Sequence, residues 1–305
     1  MTAEQPIYAL AKQIQWHWPE QYGEDKFVIM FGGLHIVMAA LKSIGTLLQE
    51  SGWTGALVEA GVASSGTTKS FLSAASITKT RQAHQITACS LYLLLKAAYN
   101  DYCTEAADNS EEVLCFDAWC DSRKLPSPQF QFWSLVLSME LAILLLIRAF
   151  REANFNQALT ELIPYFFANN TNYARWLPIH LRDMVTLKEK HPQLAQEFAS
   201  GKFVVHKSRR EFSAIAIDQA YEQSNVVIKA DGGAAGITEY PSALKRWMIA
   251  GPQVCHLVAQ YKAASEANEA TEQTSHHNET PQAQRVFLEK VKKLTQVLKE
   301  PGNPF

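Results

Sequence analysis

Helical spacing of apolar residues dominates this chain and leaves little sequence for a β-sheet. Residues 81–99 and 130–151 carry long apolar faces typical of buried helices, and shorter segments repeat the pattern along the chain. Strand character is confined to residues 27–31 and to a hairpin near residues 203–217. The sequence therefore predicts a mainly helical α+β protein, with a small sheet and a large helical insertion at about residues 52–160.

The domain organisation follows from length and local composition. At 305 residues the chain is long enough for one large domain or two ordinary ones. Residues 265–281 are polar and nearly free of large apolar side chains, which is typical of a flexible linker. We expect one helix-rich domain at 1–264, the linker, and a C-terminal amphipathic helix within 282–305.

The charge balance, one apolar run and the N-terminal sequence indicate which partners and which cellular location to expect for this protein. With 28 Lys and Arg against 30 Asp and Glu, the net charge of −2 gives no whole-molecule attraction for nucleic acid or an anionic membrane, and leaves room for a local basic patch. The apolar run at 132–147 contains Glu140 and is shorter than the roughly 20 residues of a membrane span. We expect a buried core helix, no membrane partner, and an intracellular protein, nuclear or cytoplasmic, because the N-terminus lacks a secretory signal pattern.

Cysteines and clustered acids add little chemistry. The five cysteines include no CxxC pair, so neither a disulfide framework nor a zinc ribbon is indicated. Residues 101–121 are acidic and contain no Lys or Arg, but the acids lack the spacing of a calcium loop. We expect a solvated loop there.

Asp218 and Glu222 form the most informative pair in the sequence. A strand delivers Asp218 into a helix that places Glu222 and Asn225 on the same face, one and two turns later. Two carboxylates in this arrangement can bind Mg²⁺ through oxygen ligands. Alternatively, Asp218 is a helix cap and Glu222 belongs to a solvent-facing surface.

A second candidate is the segment Gly32, Gly33 and His35. A strand that runs through two glycines into a helix is a common place for ligands or catalytic groups, and His35 stands at the start of that helix. No dinucleotide or Walker fingerprint is present. Close packing of the helix on the strand explains the glycines equally well, and His35 is then a capping or core histidine.

Basic residues beside aromatic ones give candidate nucleic-acid contacts. Arg side chains and neighbouring rings can contact phosphates and stack on bases, although buried Trp residues with neighbouring Arg produce the same pattern. The glycine-rich run at 232–236 is expected to be a flexible connector. The candidate nucleic-acid-binding residues are Arg175, Arg209, Arg210, Lys229 and Arg246.

Five segments resemble a family of mobile-element-derived proteins that is present in many copies in invertebrate genomes and is related to a domain of unknown function. The resemblance covers nearly the whole chain and implies that the chain is a fragment of a longer protein. The segments are FGGLHIVMAALKSIGTLLQESGW, RQAHQITACSLYLLL, NNTNYARWLPIHLRDM, FSAIAIDQAYEQSNVVIKADGGAAG and YPSALKRWMIAGP.

The resemblance extends to the end of the RNase H-like core of transposases, whose acids hold two metal ions for DNA cleavage. It implies catalytic positions at Glu222, Asp218 and His35, with Asp218 and Glu222 as Mg²⁺ ligands. One transposase lineage carries an acid or cysteine three residues before the histidine, where this chain has Gly32. Glu4 stands where relatives carry an aspartate.

Three hypotheses follow. The first is a transposon-derived protein with a degenerate RNase H-like core that binds DNA, and whose acids once bound or still bind Mg²⁺. The second is a non-catalytic helical scaffold for interactions, favoured by Gly32 and the low charge. The third, a metabolic enzyme with a small-molecule pocket, has no supporting fingerprint in the sequence.

Overall fold

Helices occupy most of the chain, as the apolar periodicity predicts. The computed structural model describes residues 2–110, 112–168, 170, 172–229, 240–265 and 280–305, and it describes some residues of two helices by their backbone alone. The first eight helices are α1 Gln5–His17, α2 Pro19–Tyr22, α3 Gly33–Leu47, α4 Trp53–Glu59, α5 Ser65–Leu72, α6 Ile77–Asp108, α7 Phe116–Lys124 and α8 Pro128–Arg151.

The second half of the chain continues the helical pattern in shorter pieces. Two π-helical turns, Asn156–Leu162 and Phe198–Lys202, and a 3₁₀ turn, Ala174–Trp176, lie between its helices. The helices are α9 Ile163–Ala168, α10 Leu177–Lys190, α11 Pro192–Glu197, α12 Ile217–Lys229, α13 Pro241–Ser265 and α14 Pro281–Lys299. The prediction of a mainly helical α+β protein is confirmed.

The described strands form two separate two-stranded sheets. Strand β1, Thr2–Ala3, runs parallel to β2, Met30–Phe31. Strands β3, Val204–His206, and β4, Ala214–Ala216, form the antiparallel hairpin that the sequence predicts. The expectation that all these strands share one small sheet is therefore wrong.

The predicted strand at 27–31 is shorter than expected. The backbone amides of Lys26 and Phe27 donate to the carbonyl of Gly23, and the carbonyl of Phe27 accepts from the side chain of Gln15. These bonds hold the start of the segment in a turn. Only its last two residues are left to pair with β1.

The core is built around α3, α6 and α8, which pack against one another. On α3 the buried positions Val37, Leu41 and Ile44 follow helical spacing and are almost fully shielded from solvent. Each such side chain contributes about 1.5–3 kcal/mol when it leaves water. The apolar periodicity of the sequence therefore identifies the buried face of this helix correctly.

Helix α8 is, among the described residues, the one helix with the length and apolarity to cross a membrane. In this fold it packs against α3, α6 and α7. Its Glu140 is fully buried and accepts a hydrogen bond of 2.6 Å from Nδ1 of His84 on α6.

The acidic stretch at 101–121 is mostly helical, so the expectation of a solvated loop is wrong for most of it. Helix α6 continues to Asp108, and α7 begins at Phe116. The reason is aromatic packing, because Tyr99 and Tyr102 of α6 contact Trp119 of α7.

The C-terminal region packs onto the helical body. Val291 and Leu294 of α14 are buried, and the carbonyl of Val291 accepts a hydrogen bond from Ser90 of α6. Helix α13 is one continuous helix. The glycine-rich run at 232–236 and the greater part of the expected linker, residues 266–279, lie outside the described residues.

Candidate functional site

Asp218 caps a helix that lies far from it in sequence. It is the second residue of α12, directly after β4, and only 6 % of its surface is exposed. Its Oδ1 accepts from the backbone amide of Leu34 at 3.1 Å, and its Oδ2 accepts from the amide of His35 at 3.2 Å. These amides belong to the first turn of α3, whose N-cap residue is Gly32 and has no side chain to satisfy them. Asp218 therefore supplies the cap from another element.

His35 completes the hydrogen-bonding environment of Asp218. Its Nδ1 donates to Oδ2 of Asp218 at 3.0 Å. Burial raises the pKa of Asp218, but the hydrogen bonds from the His35 ring and from the two amides outweigh it, so this pKa lies below its ordinary value. The carboxylate is thus held in its charged form by three protein donors.

Glu4 and Glu222 complete the acidic environment of His35. The parallel pairing of β1 with β2 brings the end of β1 beside the start of α3, so that Oε2 of Glu4 lies 3.8 Å from Nε2 of His35. Glu222 is exposed one turn after Asp218. The hydrogen bond to Asp218, and then the charges of Asp218, Glu4 and Glu222, raise the pKa of His35 against the opposing effect of burial. The structure therefore brings together the site residues Glu222, Asp218 and His35, with Glu4 beside them.

The hydrogen-bonded pair of Asp218 and His35 makes the stability of the fold depend on pH. In the folded protein the pKa of His35 lies above its ordinary value of 6.5. The contribution of His35 to stability is therefore complete below pH 6.5 and is lost as the pH rises through the raised pKa. Because the pKa of Asp218 is depressed, its contribution is full above pH 3.8 and is lost as pH falls through the lowered value. We expect the pair to stabilise the fold most between these two limits.

Replacement of His35 by glutamine is expected to remove the alkaline part of this dependence. Wild-type protein should lose stability from pH 6 to pH 8.5 relative to His35→Gln, because only the wild type has the imidazolium to lose. Urea unfolding of both proteins at several pH values measures the difference. If the two free energies of unfolding change in parallel, the His35 pair does not control stability in this range.

Gly32 and Gly33 are required by packing. A Cβ atom on Gly32 would overlap Oδ2 of Asp218 and lie 2.8 Å from its Cγ. A Cβ atom on Gly33 would overlap the ring of Phe150 and lie 2.9 Å from the Cβ of Ala216. Of the two interpretations of these glycines, the geometry favours close helix packing. It also means that an acid at position 32 has no room while Asp218 holds its present place.

Replacement of Gly32 by alanine is expected to lower the free energy of unfolding by about 1–3 kcal/mol, because the new methyl group displaces the Asp218 carboxylate. Gly55 in α4 is the matched control, since a Cβ atom there meets nothing within 4 Å. Gly55→Ala should be neutral or stabilise the helix by about 0.5–1 kcal/mol. Chemical denaturation of both variants measures this, and an equal effect at the two positions would contradict the assigned contact.

The candidate nucleic-acid-binding residues lie on separate elements. Arg175 is exposed in the 3₁₀ turn, with its guanidinium 5.3 Å from the ring centre of Trp176. Arg209 and Arg210 are exposed in the turn between β3 and β4. Arg246 is exposed on α13, and its Nε donates to the carbonyl of Ser242. The side chain of Lys229, at the end of α12, lies outside the described residues.

Arg81, which sequence reasoning missed, is a mostly buried cation that the charge of Asp218 influences. The pKa of Arg81 is lowered to about 10, mainly by burial and also by the charge of Arg151, against the opposing charge of Asp218. The signal in the sequence is that Arg81 shares one face of α6 with the buried residues His84 and Ala88. A cation within an apolar stripe therefore marks this position.

Two further observations concern ligands. Among the described residues, no group of three or more His, Cys, Asp or Glu side chains is arranged to hold a metal ion. A cavity of about 150 Å³ lies beside Gly33 and Ile217, and its walls are mainly apolar, with Phe31, Phe150 and Phe203 among them. Such walls offer little chemistry for a reaction on a polar metabolite.

Comparison with known proteins places the chain in a family without assigning it an activity. No curated protein and no solved structure matches it. The sequence profile of one family, described as a domain of unknown function (DUF8702), matches residues 1–115 and 99–305. The two matches together span the chain, and the protein therefore belongs to the DUF8702 family.

Proposed function

We propose that this protein is transposon-derived, that it binds DNA inside the cell, in the nucleus or the cytoplasm, and that its RNase H-like catalytic site is degenerate. The observation that carries the proposal is the assembly of Glu4, His35 and Asp218, from three distant parts of the chain, at the end of the parallel strand pair. Polar groups gathered at the carboxyl ends of strands are typical of functional sites in α/β folds.

Loss of catalysis is supported by the bonding of Asp218. A carboxylate has about four sites for accepting hydrogen bonds, and protein donors occupy three of them here. A metal ion that takes both carboxylate oxygens would have to displace the cap of α3 or the His35 ring. Gly32 supplies no second acid. These features favour a structural role for Asp218 over the metal-binding role that the family resemblance implies.

DNA binding is supported by exposed arginines on segments that are connected to this assembly. The side-chain oxygen of Gln5, next to Glu4, accepts from Nη2 of Arg175 at 2.9 Å in the amide orientation that satisfies its neighbours. An exposed guanidinium beside a Trp ring can contact phosphate and stack on a base. The hairpin turn with Arg209 and Arg210 leads through β4 directly to Asp218.

The test is equilibrium binding of fluorescently labelled duplex and single-stranded DNA, without divalent metal, at rising salt. We expect binding that weakens with salt, and a loss of about tenfold or more in the triple variant Arg175→Ala/Arg209→Ala/Arg210→Ala. Arg123→Ala, on α7, is the control for removal of an exposed arginine. Absence of binding at low salt, or equal affinity of the triple variant and the control, would overturn the proposal.

The alternative function is a non-catalytic interaction scaffold, and exposed apolar residues favour it. Ile7 and Leu10 on α1 are 46 % and 58 % exposed, and Leu181 and Val185 on the neighbouring α10 are 47 % and 54 % exposed. Exposed apolar side chains on two helices can contribute to a protein interface. Sedimentation velocity of wild-type protein and Leu10→Glu separates the two functions. Self-association that Leu10→Glu abolishes supports the scaffold, whereas a monomer that binds DNA supports the first proposal.

A further inference from the structure

The cavity of about 150 Å³ beside Gly33 is lined by residues of both small sheets. Phe31 of β2 and Ala216 of β4 belong to its walls, together with residues of α3, α8 and the two π-helical turns. Four of the residues that line it are phenylalanines: Phe31, Phe150, Phe198 and Phe203. The cavity is therefore surrounded by aromatic rings from separate parts of the chain.

The walls of this cavity are poorly suited to hold water. Among the residues that line it, Thr2 alone has a polar side chain. A buried water molecule needs about two to four hydrogen-bond partners, and apolar cavities of about 150 Å³ stay dry. An empty space of this size leaves its walls without contacts on one side, which lowers the stability of the fold. An apolar occupant would restore those contacts.

Contacts between rings keep the walls apart. The ring centres of Phe150 and Phe203 lie 6.0 Å from each other. Phe155, which is buried, contacts the ring of Phe203 at 5.3 Å and the ring of Phe198 at 5.7 Å. Because the rings are packed on one another, the walls cannot move inward to fill the space without breaking these contacts.

The exposure of the lining residues indicates where a ligand enters. Phe31 and Phe203 are 5 % and 6 % exposed, whereas Ile217 is 37 % exposed. Thr2 is half-buried. The cavity is thus closed at its phenylalanines and reaches the surface beside Ile217, the residue that precedes Asp218.

We infer that this cavity binds a small, neutral molecule with a single aromatic ring. A cavity of about 150 Å³ with apolar walls holds one molecule of the size of benzene. Phenylalanine rings favour an aromatic ligand, because ring pairs attract one another in offset and edge-to-face arrangements. The inference goes beyond the proposed function and does not depend on DNA binding.

The experiment measures the midpoint of thermal unfolding at rising concentrations of benzene, with pyrimidine as a polar ring of similar size. Leu159→Phe and Ala216→Val each add a larger side chain to the wall of the cavity. Leu93→Phe is the matched control, because it makes the first of these changes at a position on α6 that is 45 % exposed. Ala216→Val keeps the test decisive if Leu159→Phe does not fold.

We expect benzene to raise the midpoint by about 2–4 °C, with saturation, in wild-type protein and in Leu93→Phe. Leu159→Phe and Ala216→Val should lose this rise, because their side chains occupy the space. Nuclear Overhauser effects between benzene and the methyl group of Ala216 should place the ligand in the wild type. No rise in the wild type, an equal rise in all four proteins, or pyrimidine acting as strongly as benzene would overturn the inference.

Discussion

Replacement of Glu140 by alanine is expected to lower the free energy of unfolding by about 4 kcal/mol. Glu140 and His84 are 0 % and 1 % exposed and are joined by a hydrogen bond of 2.6 Å. Burial raises the pKa of Glu140, and the charge and hydrogen bond of His84 oppose that shift. Removal of the carboxylate leaves His84 with no partner at either ring nitrogen, since its Nε2 already lacks one in the described structure, and it leaves a cavity in the core.

Urea denaturation of the variant measures this loss. Glu152→Ala, at the exposed end of the same helix, is the control and should change stability by less than about 0.5 kcal/mol. The double variant His84→Leu/Glu140→Leu should recover much of the loss, because apolar side chains replace both polar partners at once. A loss below about 1 kcal/mol in Glu140→Ala would contradict the buried pair.

Replacement of Asp218 by alanine is expected to cost about 3 kcal/mol. The change removes a buried carboxylate that accepts from the amides of Leu34 and His35 and from the His35 ring. Two amides in the first turn of α3 then lose their partners, and α12 loses its hydrogen bonds to that helix. Denaturation measured at pH 6, where the pair with His35 is charged, gives the largest difference.

Glu222→Ala is the matched control for Asp218→Ala. It removes a carboxylate one turn later on α12, but from an exposed position. Its effect should stay below about 0.5 kcal/mol. Equal losses at the two positions would show that Asp218 does not support α3 in the way described. The loss of stability in Asp218→Asn should lie between those of Asp218→Ala and Glu222→Ala, because the amide oxygen still accepts from one backbone amide while the charge is gone.

The sequence predicts elements of this fold better than it predicts contacts between them. Helix α3 and the hairpin at 203–217 follow from periodicity and strand composition, which are local signals. Strand β1 has only two residues, Thr2–Ala3, and so carries no pattern that could be read. The pairing of β1 with β2 depends on the packing of the whole body.

At the candidate site, too, the sequence predicts single residues better than the contacts between them. Asp218 and His35 are both visible as polar residues at helix starts, but 183 residues separate them, and no local pattern states that one caps the helix of the other. Sequence reasoning treats Asp218 as a cap for its own helix. The buried partners His84 and Glu140 are 56 residues apart, so no local pattern in the sequence predicts their contact either.

Protein donors hold the Asp218 carboxylate, and Glu222 beside it is a surface residue. Isothermal titration of Mg²⁺ and of Mn²⁺ into wild-type protein and Glu222→Gln, each checked for folding, tests this most directly. We expect the two proteins to give the same heats, with no binding that depends on Glu222. A saturable binding heat in the wild type that disappears in Glu222→Gln would contradict it and would restore the metal-dependent catalytic site.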